Sequence, residues 1–554
     1  MAQADRTRGR RGRACAALVA ALAVSLVGAG AAEAARLTGR QLVVFEKPST
    51  ARSSSLLDAV LARTGVAKAG PGVPRLGIAT VRGPAAALAR LRRDPSVRSV
   101  SAEWQRDLRR LPNDPALNMP ETAFGGLPGG APIQWSFGRE NFPGAWDVTT
   151  GGGAIVGVLD SGIDGNHPEL GPKLHSADEI GSVTGATVDE DGHGTHVSGL
   201  ACAATDNGNA TAGAGWDCRL AFVKIARLFD EDIVAGIDQA VRRGADAINM
   251  SFGGGGSNAA LDLAINRAVD AGVVLVASAA NGSEVDQGAP ASHLQPGDAP
   301  DIAAGRGLVV TAVDFLDRRA GTGRGPQISL GAYGFSDEAN GPPGLISTYP
   351  GNSTPREAGL GLFVGCECRR TLGADARYAY LQGTSMAAPQ VTALAALVGQ
   401  LNPFLSAREK IRLIKETARR SGGWSPDLGW GIIDAGRAVE TARRIDRTAP
   451  ASSARAAKRV RVRRRARVAA LRLRWSGSDQ PGSAGLLASG LATYDVYMRR
   501  GRGRYRRIRK DAVRRSAKLR LRPGVYRFYT RARDRSGNTE GPPRRPDARV
   551  VVRR

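Results

Sequence analysis

The stretch Gly383-Thr384-Ser385-Met386-Ala387-Ala388-Pro389 sets a serine at the head of a long apolar run. A serine hydroxyl is a poor nucleophile near neutral pH. It becomes useful when an imidazole takes its proton and a buried carboxylate orients that imidazole. Two earlier segments carry the remaining groups. Val158-Leu159-Asp160-Ser161-Gly162-Ile163-Asp164 ends an apolar strand on Asp160, and Asp191-Gly192-His193-Gly194-Thr195-His196-Val197 brings His193. Taken singly, an Asp closing a strand or a Ser opening a helix is often a turn or cap residue; the ordered set carries the chemistry. The chain has no Gly-x-Ser-x-Gly elbow, which removes the main support for an α/β-hydrolase. His193 and His196 lie three apart around Gly and Thr, whereas zinc helices place histidines four apart around a Glu. His196 therefore reads as a structural residue one turn beyond His193.

The order Asp, His, Ser, with these three flanking segments, resembles the subtilisin-like serine peptidases, the subtilase family. The resemblance implies that Asp160 orients His193, that His193 serves as general base and then acid, and that Ser385 attacks. It also implies a side-chain oxyanion donor, an Asn after a buried strand. Val276-Ala277-Ser278-Ala279-Ala280-Asn281-Gly282 matches, so Asn281 is expected to act beside the Ser385 backbone N–H. Ala280 departs from the family's Gly there, and its methyl narrows the pocket for the residue before the scissile bond. Ile248-Asn249-Met250-Ser251-Phe252-Gly253 resembles the segment that pairs with extended substrate. Ser251, Phe252, Gly253, Ala279 and Ala280 are thus expected substrate contacts, and glycines 253–256 either admit substrate closely or form a flexible loop. Thr205 to Asn209 sits where subtilases often bind calcium, which makes Asp206, Asn207 and Glu169 candidate structural ligands, with an ordinary turn as the alternative. Catalysis requires no metal. The same residues leave open an inert extracellular binding protein on a subtilase fold, and esterase or ligase chemistry from the same acyl-enzyme.

At 554 residues the chain exceeds one core's usual size. Residues 112–446 alternate apolar strands with helical patterns, as in a parallel sheet covered by helices on both faces. Asn258 to Ala271 has Leu261, Ala264, Ile265, Ala268 and Val269 at helical spacing, closed by Gly272. Residues 36–111 read as a small α+β unit, which resembles the inhibitory propeptides of subtilases and implies a zymogen. Pro112-Asn113-Asp114-Pro115 resembles a mature start. A basic linker spans 447–468. From 469 to 554 short alternating segments, such as Leu471-Arg472-Leu473-Arg474-Trp475, predict a β-sandwich, which resembles immunoglobulin- or fibronectin-like modules of secreted enzymes.

Residues 1–35 read as a secretory signal: arginines at 6, 8, 10, 11 and 13, an apolar stretch from Ala14 to Val27, and Ala32-Glu33-Ala34 as a cleavage site. No later segment looks transmembrane, so an extracellular or cell-envelope location is expected. With Cys15 removed, four cysteines suit an oxidising compartment; the preferred pairing is Cys202 with Cys218 and Cys366 with Cys368, free thiols being the alternative. Charge is segregated. Residues 447–554 hold 33 basic and 6 acidic residues, whereas 112–446 hold 25 basic and 38 acidic ones. Such a tail attracts polyanions, and an anionic cell-envelope polymer is the expected partner beside protein or peptide substrates; solvated faces that keep a sandwich soluble are the alternative.

Overall fold

Strands buried on both faces need near-continuous apolar sequence, and Ile155–Asp160, Val274–Ser278 and Gly307–Val313 have it. In the computed structural model the described residues are 35–47, 49–50, 53–106, 111–181, 184–225, 227–256, 258–336, 341–358, 368–419, 423–483 and 485–554. They fall into two units that divide after Arg110. The expected signal lies outside the described residues up to residue 34.

The first unit is an antiparallel four-stranded sheet in the order Ala67–Val73, Ile78–Arg82, Ala35–Phe45, Val97–Arg106. Helices Ser54–Thr64 and Ala85–Arg92 supply Leu57, Val60, Leu61, Ala87 and Leu91 to its core, against Val43, Phe45 and Val81. The expected α+β elements are present. Strand Ala67–Val73 was not anticipated, because Gly70, Pro71 and Gly72 argue against a strand.

The second unit is built on a seven-stranded parallel sheet. Its order is Leu330–Tyr333, Gly307–Val313, Val274–Ser278, Ala247–Met250, Ile155–Asp160, Arg219–Ile225, Leu174–Ile180. Period two along Ile155–Asp160 points Leu159 toward the helix Asp230–Arg242, where a Cβ on Gly236 would meet its side chain. Asp160 points to the other face, toward the helix His193–Cys202. The long helix Thr384–Leu401 packs beside His193–Cys202 on that face. Helix Ala259–Asp270 has the expected buried stripe, an Asn258 cap that accepts from Leu261 N, and Gly272 at φ 87° just beyond its end. Cys202 and Cys218 form a disulfide, while Cys366 lies outside the described residues.

The basic stretch expected to be a linker contains two short strands. Ala451–Arg455 pairs with Ala469–Ser478, and Arg459–Arg461 pairs with Ala548–Arg553. Ser453, Ala454 and Val460 are covered or half-covered within an otherwise charged run, so pattern reading saw only the charge. The sandwich joins a three-stranded sheet to a five-stranded one. Leu471, Leu473, Trp475, Tyr526 and Phe528 point inward, and Arg472 and Arg474 point to solvent, as alternation predicts. It does not hang from a tether. Leu486, in the loop after Ala469–Ser478, is buried in the core of the parallel-sheet domain. Leu487 N donates to Arg443 O at 2.9 Å, and Ser489 N to Asp446 Oδ2 at 2.8 Å. Among the described residues no helix is long and apolar enough to cross a membrane.

His196 binds the helix His193–Cys202 to the antiparallel pair Leu345–Thr348 and Tyr378–Leu381. Its Nε2–H faces Leu345 O at 3.1 Å and Ala379 O at 3.0 Å, with the side chain wholly buried. Burial holds the imidazole neutral and lowers its pKa from 6.5 to about 3. The unfolded chain takes up a proton below 6.5 that the folded one refuses, so stability falls as pH drops through that window. The loss attributable to His196 is on the order of 1 kcal/mol per pH unit across that window. Denaturant unfolding from pH 7 to 4 should therefore show a shallower decline for His196→Asn than for the unaltered chain. Parallel curves would mean that His196 does not govern it.

Candidate active site

Asp160 ends its strand with 4% of its surface exposed, at the carboxyl edge of the sheet. There His193 Nδ1–H donates to Asp160 Oδ1 at 2.7 Å, and Ser161 N donates to the same oxygen at 2.8 Å. Asp160 Oδ2 is buried with no partner among the described residues. This contact fixes the His193 tautomer and leaves Nε2 as the acceptor. Burial pulls the imidazole pKa down, but the charge and hydrogen bond of Asp160 more than offset it, and the pKa is raised above its ordinary value.

The approach of helix to strand is close. A Cβ on Gly194 would lie 2.2 Å from Gly162 O, so only glycine fits behind His193. A residue that sequence reading passed over holds this junction. Asp189, 3% exposed, accepts at Oδ1 from Ser161 Oγ (3.0 Å), Gly192 N (2.9 Å) and Asp191 N (3.2 Å). Its Oδ2 accepts from Thr195 N (2.9 Å) and Thr195 Oγ1 (2.6 Å). Ser161 Oγ in turn accepts from Gly194 N at 3.1 Å. Asp189 thus satisfies donors of the first helical turn and ties them to the residue beside Asp160. Its signal was an Asp four residues before His193, masked by neighbouring Glu190 and Asp191.

Ser385 is the second residue of Thr384–Leu401, 8% exposed, with the amino end of an 18-residue helix behind it. Pro389 lacks the N–H that would reach back to Ser385 O. Ser251 Oγ donates to that carbonyl instead, at 3.1 Å, and is itself held by Asn249 Nδ2 at 2.9 Å. Ser385 Oγ donates to Ser251 O at 3.2 Å and not to His193, so the structure brings Asp160 and His193 into contact but not Ser385. Asn281 lies beside the helix start. Its Oδ1 accepts from Thr384 N at 3.0 Å and lies 2.9 Å from Thr384 Oγ1, which turns Nδ2 outward with no protein acceptor among the described residues.

One cleft runs between these groups. Asp160, His193 and Arg356 line one lobe, Asn281 and Ser385 line the other, and Ser251 and Phe252 line both. The second lobe, a cavity of about 460 Å³, lies between Ser251–Gly255 and Ser278–Asn281, and Gly253, Ala279 and Ala280 line it. Ala280 N donates to Gln287 Oε1 at 3.0 Å. Across from it, Gly254 and Ala289 exchange both backbone hydrogen bonds.

The expected calcium ligands are neighbours but do not converge. Glu169 is fully buried, and burial pushes its carboxyl up to about 7. Its two oxygens accept from Tyr378 OH (3.2 Å) and Asn207 Nδ2 (3.0 Å), while Asp206 Oδ1 accepts from Asn113 N (3.2 Å). With those oxygens occupied by protein donors, Asp206, Asn207 and Glu169 do not fit a calcium ion in this arrangement. Subtilases need no catalytic cofactor.

The family described as the Subtilase family matches residues 151–431. A thermophilic serine proteinase of Bacillus sp. (strain AK1) is 31% identical over 53% of this chain and 64% of its own length. Thermitase of Thermoactinomyces vulgaris is 28% identical over 54% of this chain and 92% of its own. Subtilisin DY of Bacillus licheniformis is 31% identical over 52% of this chain and 92% of its own. The chain therefore spans just under two thirds of the first relative and nearly all of the other two. It belongs to the subtilase family of serine endopeptidases.

Proposed function

We propose that the chain is a secreted endopeptidase, made as a zymogen, that hydrolyses peptide bonds through an acyl-enzyme on Ser385. The observation that carries this reading is the 2.7 Å contact between His193 Nδ1 and Asp160, set across one cleft from Ser385. Rotation of Ser385 about χ1 brings Oγ toward His193 Nε2, which removes its proton as the carbonyl carbon is attacked. The developing oxyanion is met by the Ser385 N–H and Asn281 Nδ2, donors worth about 10²–10³ each in turnover. His193 then protonates the leaving amine, and water repeats the sequence to free Ser385. Residues 36–111 fit the role of a removable inhibitory unit, and Pro112-Asn113-Asp114-Pro115 that of the processed start.

Ser385→Ala should leave secretion and fold intact. It should accumulate unprocessed precursor and lower casein hydrolysis by at least about 10³-fold. Hydrolysis at the unaltered rate would overturn the assignment of Ser385.

The second lobe of the cleft also points to a substrate class. Glu284 and Asp286 line it, no basic residue does, and neither carboxylate pairs with Lys or Arg among the described residues. Gln287, 3% exposed, fixes the segment that carries them. Its Nε2 donates to Glu284 O (2.8 Å), Val285 O (2.9 Å) and Arg324 O (3.0 Å). A cation entering between the strands therefore meets two exposed carboxylates on a segment whose backbone is held, and arginine or lysine is favoured before the scissile bond. On peptide anilides that differ only at that position, Arg should be cleaved faster than Phe. Glu284→Gln with Asp286→Asn should cut the Arg-to-Phe ratio of kcat/KM about tenfold, with the Phe rate unchanged. Equal rates in the unaltered enzyme would sink the specificity alone, whereas no cleavage of either anilide would sink the catalytic reading.

A further inference from the structure

The sandwich has two unlike ends. At one, the loop carrying Leu486 and Ser489 is fixed to the peptidase. At the other, strands Arg459–Arg461, Leu491–Arg500, Ser516–Leu521 and Ala548–Arg553 all finish together. Antiparallel pairing forces this grouping, since Leu491 lies opposite Asp534 and Arg500 opposite Tyr526. The chain turns there at 462–467, after Arg500, and at Arg522-Pro523. These turns enclose a cavity of about 620 Å³ whose lining includes Arg463, Arg464, Arg465, Arg467, Arg500 and Arg522 and no Asp or Glu.

An ordinary solvated face does not look like this. On the outer face of the three-stranded sheet, Arg472, Arg474, Lys518 and Arg520 stand along flat strands and project into water, with Arg472 opposite Lys518. At the pole, guanidinium groups from three separate turns crowd one concavity, and none of the six pairs with a carboxylate among the described residues. The turn is also held. Ala466 N donates to Arg463 O at 2.9 Å, Val462 N to Arg553 O at 2.9 Å, and Arg500 Nη2 to Pro523 O at 2.7 Å. Like charges gathered in one concavity repel, and an anion of several charges relieves them together. All six are Arg rather than Lys, and the guanidinium fork matches phosphate oxygens two at a time. The cavity lining holds no aromatic residue, so bases have nothing to stack on and recognition is confined to a backbone.

We propose that this arginine pole is a binding site for a phosphodiester polymer, gripped by its backbone without regard to what the phosphates link. The site is independent of the catalytic reading, and it lies at the end of the sandwich away from the peptidase contact. A polymer held there leaves the cleft open, and the enzyme is anchored without being blocked.

The test uses the full chain with its serine blocked by a fluorophosphonate, titrated against a glycerol-phosphate polymer and against a random-sequence DNA duplex. Both should bind at about 50 mM salt and weaken steeply as salt rises, with the tighter of the two naming the source. Charge reversal of Arg463, Arg465 and Arg522 to Glu should weaken binding at least about tenfold and reduce the salt slope by about three contacts. Reversal of Arg472, Arg474 and Arg520 should change it less than about threefold, and both variants should keep unaltered anilide hydrolysis before blocking. Equal losses in the two variants would show diffuse charge and overturn the site. So would the absence of binding to both polymers, or tighter binding to heparin than to either.

Discussion

Everything at the catalytic edge depends on one buried carboxylate. Asp189 collects five donors from two segments, the Ser161 side chain next to Asp160 and the turn that starts the histidine helix. An unpaired buried carboxylate is costly, yet here each hydrogen bond also satisfies an amide or hydroxyl that would otherwise be stranded near the sheet edge. Position follows from satisfaction. This placement of the helix meets all five donors while Gly194 rides against Gly162 O. The 2.7 Å contact between His193 and Asp160 is a consequence of that placement.

Much of this edge was legible before any coordinates. Asp160, His193 and Ser385 are surrounded by segments specific enough to fix their order and strand or helix positions, and Asn281 follows the apolar run that forms the buried strand Val274–Ser278. Asp189 was not legible, because in a run of acidic residues the one that turns inward is chosen by tertiary geometry. The Asp206 to Asn209 turn misled in the opposite way. Its oxygen-rich composition suits calcium, but composition does not say which oxygens already have donors. Likewise the arginines of 455–467 hid strands whose buried positions are few and small.

The two halves of the second unit have opposite electrostatic characters and still share a boundary. The peptidase stretch has a net charge of −13 and residues 447–554 a net of +27. Attraction between them is general, but the boundary itself is apolar and hydrogen-bonded, with Leu486 buried and Asp446 accepting from Ser489 N. Long-range charge sets no orientation; short-range packing does. Of the many arginines left over, most lie along strands, and one set is collected by topology at the far turns.

Pro389 has a mechanical consequence. A helix normally holds its own first turn, but this one has surrendered the rung at the Ser385 carbonyl, and Ser251 supplies it from the neighbouring strand end. Ser385 is therefore hinged to the strand end that carries Ser251, Phe252 and Gly253. Ser251 Oγ meets the Ser385 carbonyl and Ser385 Oγ meets the Ser251 carbonyl, so two hydroxyls join the strand end to the helix start, and neither segment shifts without drawing on the other.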